Sequence, residues 1–417
     1  MKSSKKVLFS ATVDSHILNF HIPYLKYFKD QGYEVHVATN GTEKIPYCDV
    51  KHTVSFERSP FELNNLKAIR QLKKIIDIEK FEIIHTHTPM GSVITRLAAR
   101  SSRKKIGTIV FYTAHGFHFY TGAPIQNWII YYPVEKILAH ITDVLVTINE
   151  EDYVRAQKKL RAKSTIKING VGVDLKRFRP VKDQKEKDQL RREYGFDKDD
   201  LILICVAELN GNKNQGFLIK AMREVLKINP KAKLLLCGIG DYEERYRKLI
   251  IELDLEDNVL LMGYRKDIHK LMRMSDIGVS ASIREGFGLS IVEELASGIP
   301  VAISKNRGHI EIIQEKYLGS FYPCDEIDEY ISILQKTAIK KRNAQSAKRH
   351  NFASKFSIPN VMNFMTEHYI KELPNIGESL SKYSGSPVLQ NALFPKIPKQ
   401  TIPAKRITIR KSRRTSP

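Results

Sequence analysis

The stretch SASIREGFGLSIVEELASGIPVAI, residues 280–303, decides the fold. It begins as the end of a buried strand and passes through the glycine-rich loop IREGFG. A helix starts near Leu289 and runs to Ser297, Gly298 caps it, and Pro300 opens the next strand. A strand, a helix and a second strand in so short a span make a βαβ unit, which requires parallel strands. Glu285 lies in the loop and Glu293 in the helix, with seven residues between them. The backbone amides of Phe287, Gly288 and Leu289 fall at the helix N-terminus, where N–H groups lack partners and the dipole is positive. Such a terminus suits an anion, for example a diphosphate. Glu293, one turn further in, is placed to accept hydrogen bonds from a vicinal diol such as a ribose. The same pair also fits a plain helix start with an acidic first turn.

The same alternation extends in both directions. KKVLFSATV (5–13), YEVHVATNG (33–41), FEIIHTHT (81–88), GTIVFYTAHG (107–116) and DVLVTIN (143–149) read as strands. Between them, 16–32, 62–80, 90–103 and 125–140 have helical spacing. The pattern lapses at 178–200, a charged stretch with a proline, and resumes with strands at 201–209, 233–240, 258–264, 276–282 and 300–306. The expected architecture is α/β, with two Rossmann-like doubly wound domains and a cleft between them. The first domain is expected at 1–178, joined by a C-terminal helix at about 355–373, and the second at 179–354. Residues 375–417, rich in Pro, Ser, Lys and Arg, are expected to be a disordered basic tail.

The chain has 417 residues and a net charge of +22. Residues 1–180 carry +12, 181–379 carry +1 and 380–417 carry +9. One half therefore suits an anionic partner: an anionic membrane face, a phosphorylated substrate or nucleic acid. No nucleic-acid-binding motif is present, so no nucleic-acid partner is expected. The four cysteines are scattered, which excludes a disulfide framework or zinc ribbon. No apolar run approaches the length needed to span a bilayer. His85-x-His87 is a weak metal pair on one face of a strand. Asp197-x-Asp199 precedes a strand in a charged linker and reads as a solvated turn, so no metal site is expected.

Ser282-x-x-Glu285-Gly-Phe-Gly, then Glu293, then Ala296-x-Gly298-x-Pro300-Val301 resembles the E-x7-E signature of family 4 glycosyltransferases. These are retaining GT-B enzymes that use nucleotide sugars. INGVGVDLKRFRP (168–180), VAELNGNKNQGFLIKA (206–221), GYRKDIHKLMRMSDIGVSAS (263–282) and NRGHIEII (306–313) are similar to other family segments in order and spacing. DSHILNFHIPYLKYF (14–28) and YTAHGFHF (112–119) resemble bacterial capsule and exopolysaccharide transferases. The resemblance implies transfer from a nucleotide-diphosphate sugar, with UDP the default, to a polyprenyl-diphosphate-linked or glycan acceptor. The enzyme is then expected at the cytoplasmic face of the cell membrane, with no cofactor and no metal requirement. Other GT-B enzymes, a phosphorylase or a sugar-nucleotide epimerase, and a basic nucleic-acid-binding protein are the alternatives.

By that resemblance Glu293 holds the ribose, Glu285 lies near the transferred sugar, and Lys213 neutralises the leaving diphosphate. His115 is the expected sugar contact, unless it is a hydrogen-bonded core residue. Ser282, Gly238, Tyr264, Arg284 and the amides of Phe287, Gly288 and Leu289 are expected on the donor side. Asp14, His16 and His118 are expected on the acceptor side. Glu208 stands where the family usually has Arg, so either Glu208 points away from the diphosphate or another cation substitutes, for which Arg284, Arg265 and Arg307 are available. The segment WIIYYPVEKIL (128–138) is either an interfacial aromatic belt or a packed helix.

Overall fold

The computed structural model describes residues 5–339 and 345–373, and the expected tail at 375–417 lies outside them. The chain forms two compact units, one reaching to Gly172 and resuming at Ile358, the other spanning Val173–Ser357. The expected boundary at 178 falls inside the second unit, because Val173 bridges to Ser357 and Arg177 donates to the Lys266 carbonyl at 2.7 Å.

The first unit holds seven strands: β1 (Lys6–Val13), β2 (Glu34–Asn40), β3 (Val50–Thr53), β4 (Ile83–His87), β5 (Ile109–Ala114), β6 (Val144–Thr147) and β7 (Ser164–Lys167). All pairs are parallel, in the order β3-β2-β1-β4-β5-β6-β7. The second unit holds β8 (Leu201–Val206), β9 (Ala232–Cys237), β10 (Val259–Gly263), β11 (Ile277–Ser280), β12 (Val301–Ser304) and β13 (Gly319–Tyr322). Their order, β10-β9-β8-β11-β12-β13, follows the same rule, and all pairs are again parallel. In each sheet the winding direction reverses beside the first strand, between β1 and β4 and between β8 and β11. Ligands of doubly wound sheets bind at the carboxyl ends of the strands at that reversal.

The cores follow from the apolar runs. Leu8, Ile84 and Val110 pack against Leu72, Ile76 and Ala98 of the flanking helices in the first unit. Leu203, Leu234 and Val279 pack against Leu218, Met222 and Tyr330 in the second. Each such side chain contributes about 1.5–3 kcal/mol on burial. Two aspartates play matching parts at strand starts. Asp143, before β6, accepts from Arg103 and from Val110 N at 2.9 Å. Asp276, before β11, accepts from Lys187, from Arg191 and from Ile202 N, at 2.8, 2.8 and 2.9 Å. Each ties its strand to the backbone of a neighbour.

The segment expected as one helix over 16–32 is two, Asp14–Phe20 and Ile22–Asp30, broken at His21. Pro23 causes the break, since its ring excludes a continuing helix and it has no N–H to donate. The helix expected over 327–350 comprises Ile327–Ile339 and Ser346–Ala353. The last described helix, Ile358–Glu372, belongs to the first unit. Its Tyr369 is fully buried against Phe28 and Phe111, and shares a 2.5 Å hydrogen bond with His85 Nδ1.

Candidate active site

In the second unit the loops after β8 and β11 are laced together. Ile283 N donates to Asn212 O at 2.8 Å, and Asn212 Nδ2 donates to the Arg284 carbonyl at 2.9 Å. This brings Lys213 Nζ to 2.5 Å from Glu285 Oε1, a half-buried ion pair at the reversal point. Gly288 caps the helix Leu289–Ala296 with φ of +101°, a conformation that glycine adopts without strain. Gly308 is equally constrained, because a Cβ there would lie 2.9 Å from Phe287 N and O. The start of the helix Arg307–Ile312 thus seats directly on the glycine-rich loop.

Glu293 lies in the second turn of that helix and is half-buried. Desolvation pushes its carboxyl up to about 7, opposed only by the Arg177 charge. Its neighbour Glu294 is fully buried against Gly278, and its carboxyl is raised well above the ordinary value for the same reason, with Glu293 adding to the rise. An acceptor poised near neutrality beside a cation and a helix N-terminus matches a ligand that joins a phosphate to a diol.

The other donor-side residues divide by task. Phe287 is buried edge-on against Phe356, at 5.4 Å between ring centroids, and anchors the loop. Ser282 is buried, and its carbonyl accepts from Ser304 Oγ at 2.6 Å and Asn306 Nδ2 at 3.0 Å. Its hydroxyl accepts from Ser280 Oγ at 3.2 Å, so Ser282 is part of the scaffold of the site. Gly238 and Gly240 are there for close backbone packing, since a Cβ at either would strike the carbonyl of Ala207 or Leu209. Tyr264 is exposed at the end of β10, and Leu289 and Arg284 are half-buried. Glu208 is exposed. Arg265 pairs with Asp267 at 2.6 Å. Sequence reasoning assigned no role to Asn306 and His309. Asn306 caps its helix by accepting from His309 N, and His309 Nδ1 lies 2.7 Å from the Ser304 carbonyl. The N-x-x-H spacing was the available signal.

In the first unit a pocket of about 630 Å³ opens at the reversal point, lined among others by Thr12, His16, Thr88, His118, Tyr131 and Glu135. Its walls are joined by Thr12 Oγ1 and Thr88 Oγ1 at 2.7 Å. His16 and His118 line it, and His118 stacks on Tyr131 at 4.6 Å. Asp14 does not. It is buried, accepts from Thr39 and Glu43 N, and pairs with Lys51 at 2.7 Å, which holds its carboxyl below the ordinary value. It fastens the segments after β2 and at β3.

His115 follows β5 and lies among imidazoles, its Nε2 at 3.2 Å from His16 Nε2. Burial holds His16 down to about 4 and pushes His21, His87 and His115 well below the ordinary imidazole value, which favours the neutral form of all four. His85 is satisfied by Tyr369 and by Thr113 Oγ1 at 2.8 Å, which removes it from the His85-x-His87 pair. In the helix Ile125–Ala139, Trp128, Tyr131 and Tyr132 pack on the core, so they form no aromatic belt. The exposed large hydrophobic residues of this helix are aliphatic, among them Ile125, Ile129 and Ile137 at 66%, 67% and 69% exposed. No described helix is long and apolar enough to cross a membrane.

Two family models match this chain, Glycosyl transferase 4-like over residues 6–149 and Glycosyl transferases group 1 over 186–354. The chain is 49% identical over 313 residues to the putative glycosyltransferase EpsD of Bacillus subtilis, spanning 75% of this chain and 82% of that one. It is 26% identical over 323 residues to the Escherichia coli UDP-Gal:alpha-D-GlcNAc-diphosphoundecaprenol alpha-1,3-galactosyltransferase, spanning 75% and 81%. Among solved structures, Anabaena Alr3699/HepE in complex with UDP and glucose superposes with a TM-score of 0.71 at 18% identity, over 88% of this chain and all of that one. The same protein solved with UDP-glucose gives 0.69 at 19% identity, over 90% and 99%.

Proposed function

The chain belongs to the group 1, family 4-like glycosyltransferases, and on that premise we propose that it transfers a sugar from a UDP-sugar, with retention, to a polyprenyl-diphosphate-linked glycan in cell-surface polysaccharide synthesis. The observation that carries the proposal is the Lys213–Glu285 pair beside the Gly288-capped helix, with Glu293 in the second turn of that helix. In this reading the diphosphate competes with Glu285 for Lys213. The cation then offsets charge that grows on the leaving diphosphate. Glu293 accepts from the ribose diol, and those hydrogen bonds favour its charged form, so donor affinity should rise with pH through about 7. Lys213, the helix amides and a neighbouring arginine suffice for the phosphates without a divalent ion.

The uridine choice and the lipid-linked acceptor draw support from the UDP complexes of the Anabaena protein and from the galactosyltransferase activity for which the E. coli relative is named. The pocket in the first unit is the proposed acceptor site. The exposed Ile125, Ile129 and Ile137, with the +12 charge of residues 1–180, support seating on an anionic membrane face. The test is incubation with vesicles bearing polyprenyl-diphosphate-linked sugars and a panel of labelled sugar nucleotides. Transfer from one UDP-sugar is the expected result. Transfer only from a donor lacking uridine, or only to soluble acceptors, would overturn those parts.

A further inference from the structure

A buried ion pair reaches the pocket of the first unit. Arg96 lies in the helix Pro89–Ile106, Glu135 in the helix Ile125–Ala139 and Tyr112 in β5. Arg96 Nη1 donates to Glu135 Oε2 at 2.9 Å and Nη2 to Oε1 at 3.1 Å, while Tyr112 OH donates to Oε1 at 3.2 Å. The guanidinium lies over the Tyr112 ring, 4.1 Å from its centroid. Its Nε donates to the Ser92 carbonyl at 3.2 Å, and Nη2 to Ser92 Oγ at 3.1 Å. The Arg96 side chain keeps 1% of its surface and that of Glu135 keeps 8%. Of the two, it is Glu135 that lines the pocket.

Stability alone does not account for such a pair. Desolvating two charges costs about several kcal/mol for each, and apolar residues of similar volume often fill such a place equally well. What the pair does provide is a carboxylate held in one orientation within a largely apolar lining that includes Met90, Val93 and Phe119. A carboxylate oxygen can accept about two hydrogen bonds. Oε1 has two, and Oε2 has one among the described residues. Glu135 therefore keeps one acceptor position on the side chain that reaches the pocket.

That position calls for an O–H or N–H donor and repels an anion. The same lining offers the joined hydroxyls of Thr12 and Thr88 and the ring of Tyr131. A neutral sugar answers all three, with hydroxyls for the polar groups and a C–H face for the ring. Arg58, the arginine of the lining, is exposed, so a diphosphate finds its cation toward solvent and away from the buried carboxylate. We propose that Glu135 determines acceptor specificity by accepting a hydrogen bond from a hydroxyl of a neutral sugar. Arg96 and Tyr112 are positioning residues that hold the carboxylate for it. The inference rests on the reading of this pocket as the acceptor site, and it adds that uronates and phosphorylated sugars are rejected there.

The test is ligand-observed NMR on the full chain with the methyl glycosides of glucose, galactose and N-acetylglucosamine, their monodeoxy analogues and methyl glucuronide. A neutral glycoside should bind and the glucuronide should not. One monodeoxy analogue should bind about 10–100-fold more weakly than its parent, as expected for loss of a hydrogen bond to a charged group. Glu135→Leu combined with Arg96→Met removes both charges and strands neither. This double variant should melt close to the unaltered chain and keep its affinity for UDP. It should bind the parent glycoside as weakly as the deoxy analogue, so that deoxygenation has no further effect. A purely structural pair would leave that difference in place. Glycoside binding of the expected kind without transfer from any UDP-sugar supports the pocket assignment and counts against the proposed reaction alone. Glucuronide bound as well as the neutral glycosides, or no glycoside bound, would overturn the proposal in the unaltered chain without recourse to a variant. A double variant that still distinguishes the parent from its deoxy analogue would overturn it too.

Discussion

The two reversal points share a topology and differ in nearly everything else. Between β8 and β11 the loops carry a salt bridge, a glycine-capped helix N-terminus and a glutamate raised to about 7. Between β1 and β4 they carry neutral imidazoles, joined threonines and a pocket with aromatic walls. A doubly wound sheet thus dictates where a ligand sits, while the loop residues choose which ligand. In the proposed function, the charged loop at a helix N-terminus serves the diphosphate donor and the mixed polar and apolar pocket serves the acceptor.

The largest expected effect probes the frame common to both units. Asp276→Ala leaves Lys187 and Arg191 buried without their anion and should destabilise the chain by about 3–5 kcal/mol in denaturant melts. Asp143→Ala, whose Arg103 partner is more exposed, should cost clearly less. Equal losses would break the view that the second unit rests on the more deeply buried charges. Lys213→Ala comes next. It should lower kcat by about 10²–10³-fold with a smaller change in donor affinity, because the charge it meets develops late. Equal losses in both would contradict that role.

Glu293→Gln separates function from stability. The carboxyl is raised from an ordinary 4.5 to about 7, so the penalty for ionising it in the folded chain is absent below pH 4.5 and complete above about 7. The substitution should therefore raise the melting temperature at pH 8, leave it unchanged at pH 4.5, and weaken donor binding. A melting temperature that falls at pH 8 would show that Glu293 is better partnered than its surroundings suggest. The smallest effect concerns the first unit. Ile129→Glu with Ile137→Glu should weaken binding to anionic vesicles by about 1–3 kcal/mol in total while leaving donor affinity intact. Unchanged sedimentation with vesicles would remove that helix from the membrane contact.

Much of this was legible because buried central strands are continuous apolar runs. Those missed, β3, β7 and β13, are four-residue edge strands with sequences VKHT, STIK and GSFY. Paired on one side only, they show no apolar run to detect. The donor-side loop was legible because Glu285, Gly288 and Glu293 lie within nine residues of chain. The imidazole group was not, since its members span residues 16 to 115 and one sits at a helix break read as continuous helix. Asp14 misled for a related reason: its partners Thr39, Glu43 and Lys51 come from segments that only the folded sheet brings together.

The central claim is that the second unit's reversal point holds a UDP-sugar through Glu293. Calorimetric titration of UDP at pH 7.5, with and without EDTA, tests it most directly. The account predicts binding by the unaltered chain that EDTA does not change, an affinity weaker by about 1.5–3 kcal/mol in Glu293→Ala, and no change in His118→Ala. Undiminished affinity in Glu293→Ala, or a loss in His118→Ala alone, would contradict it.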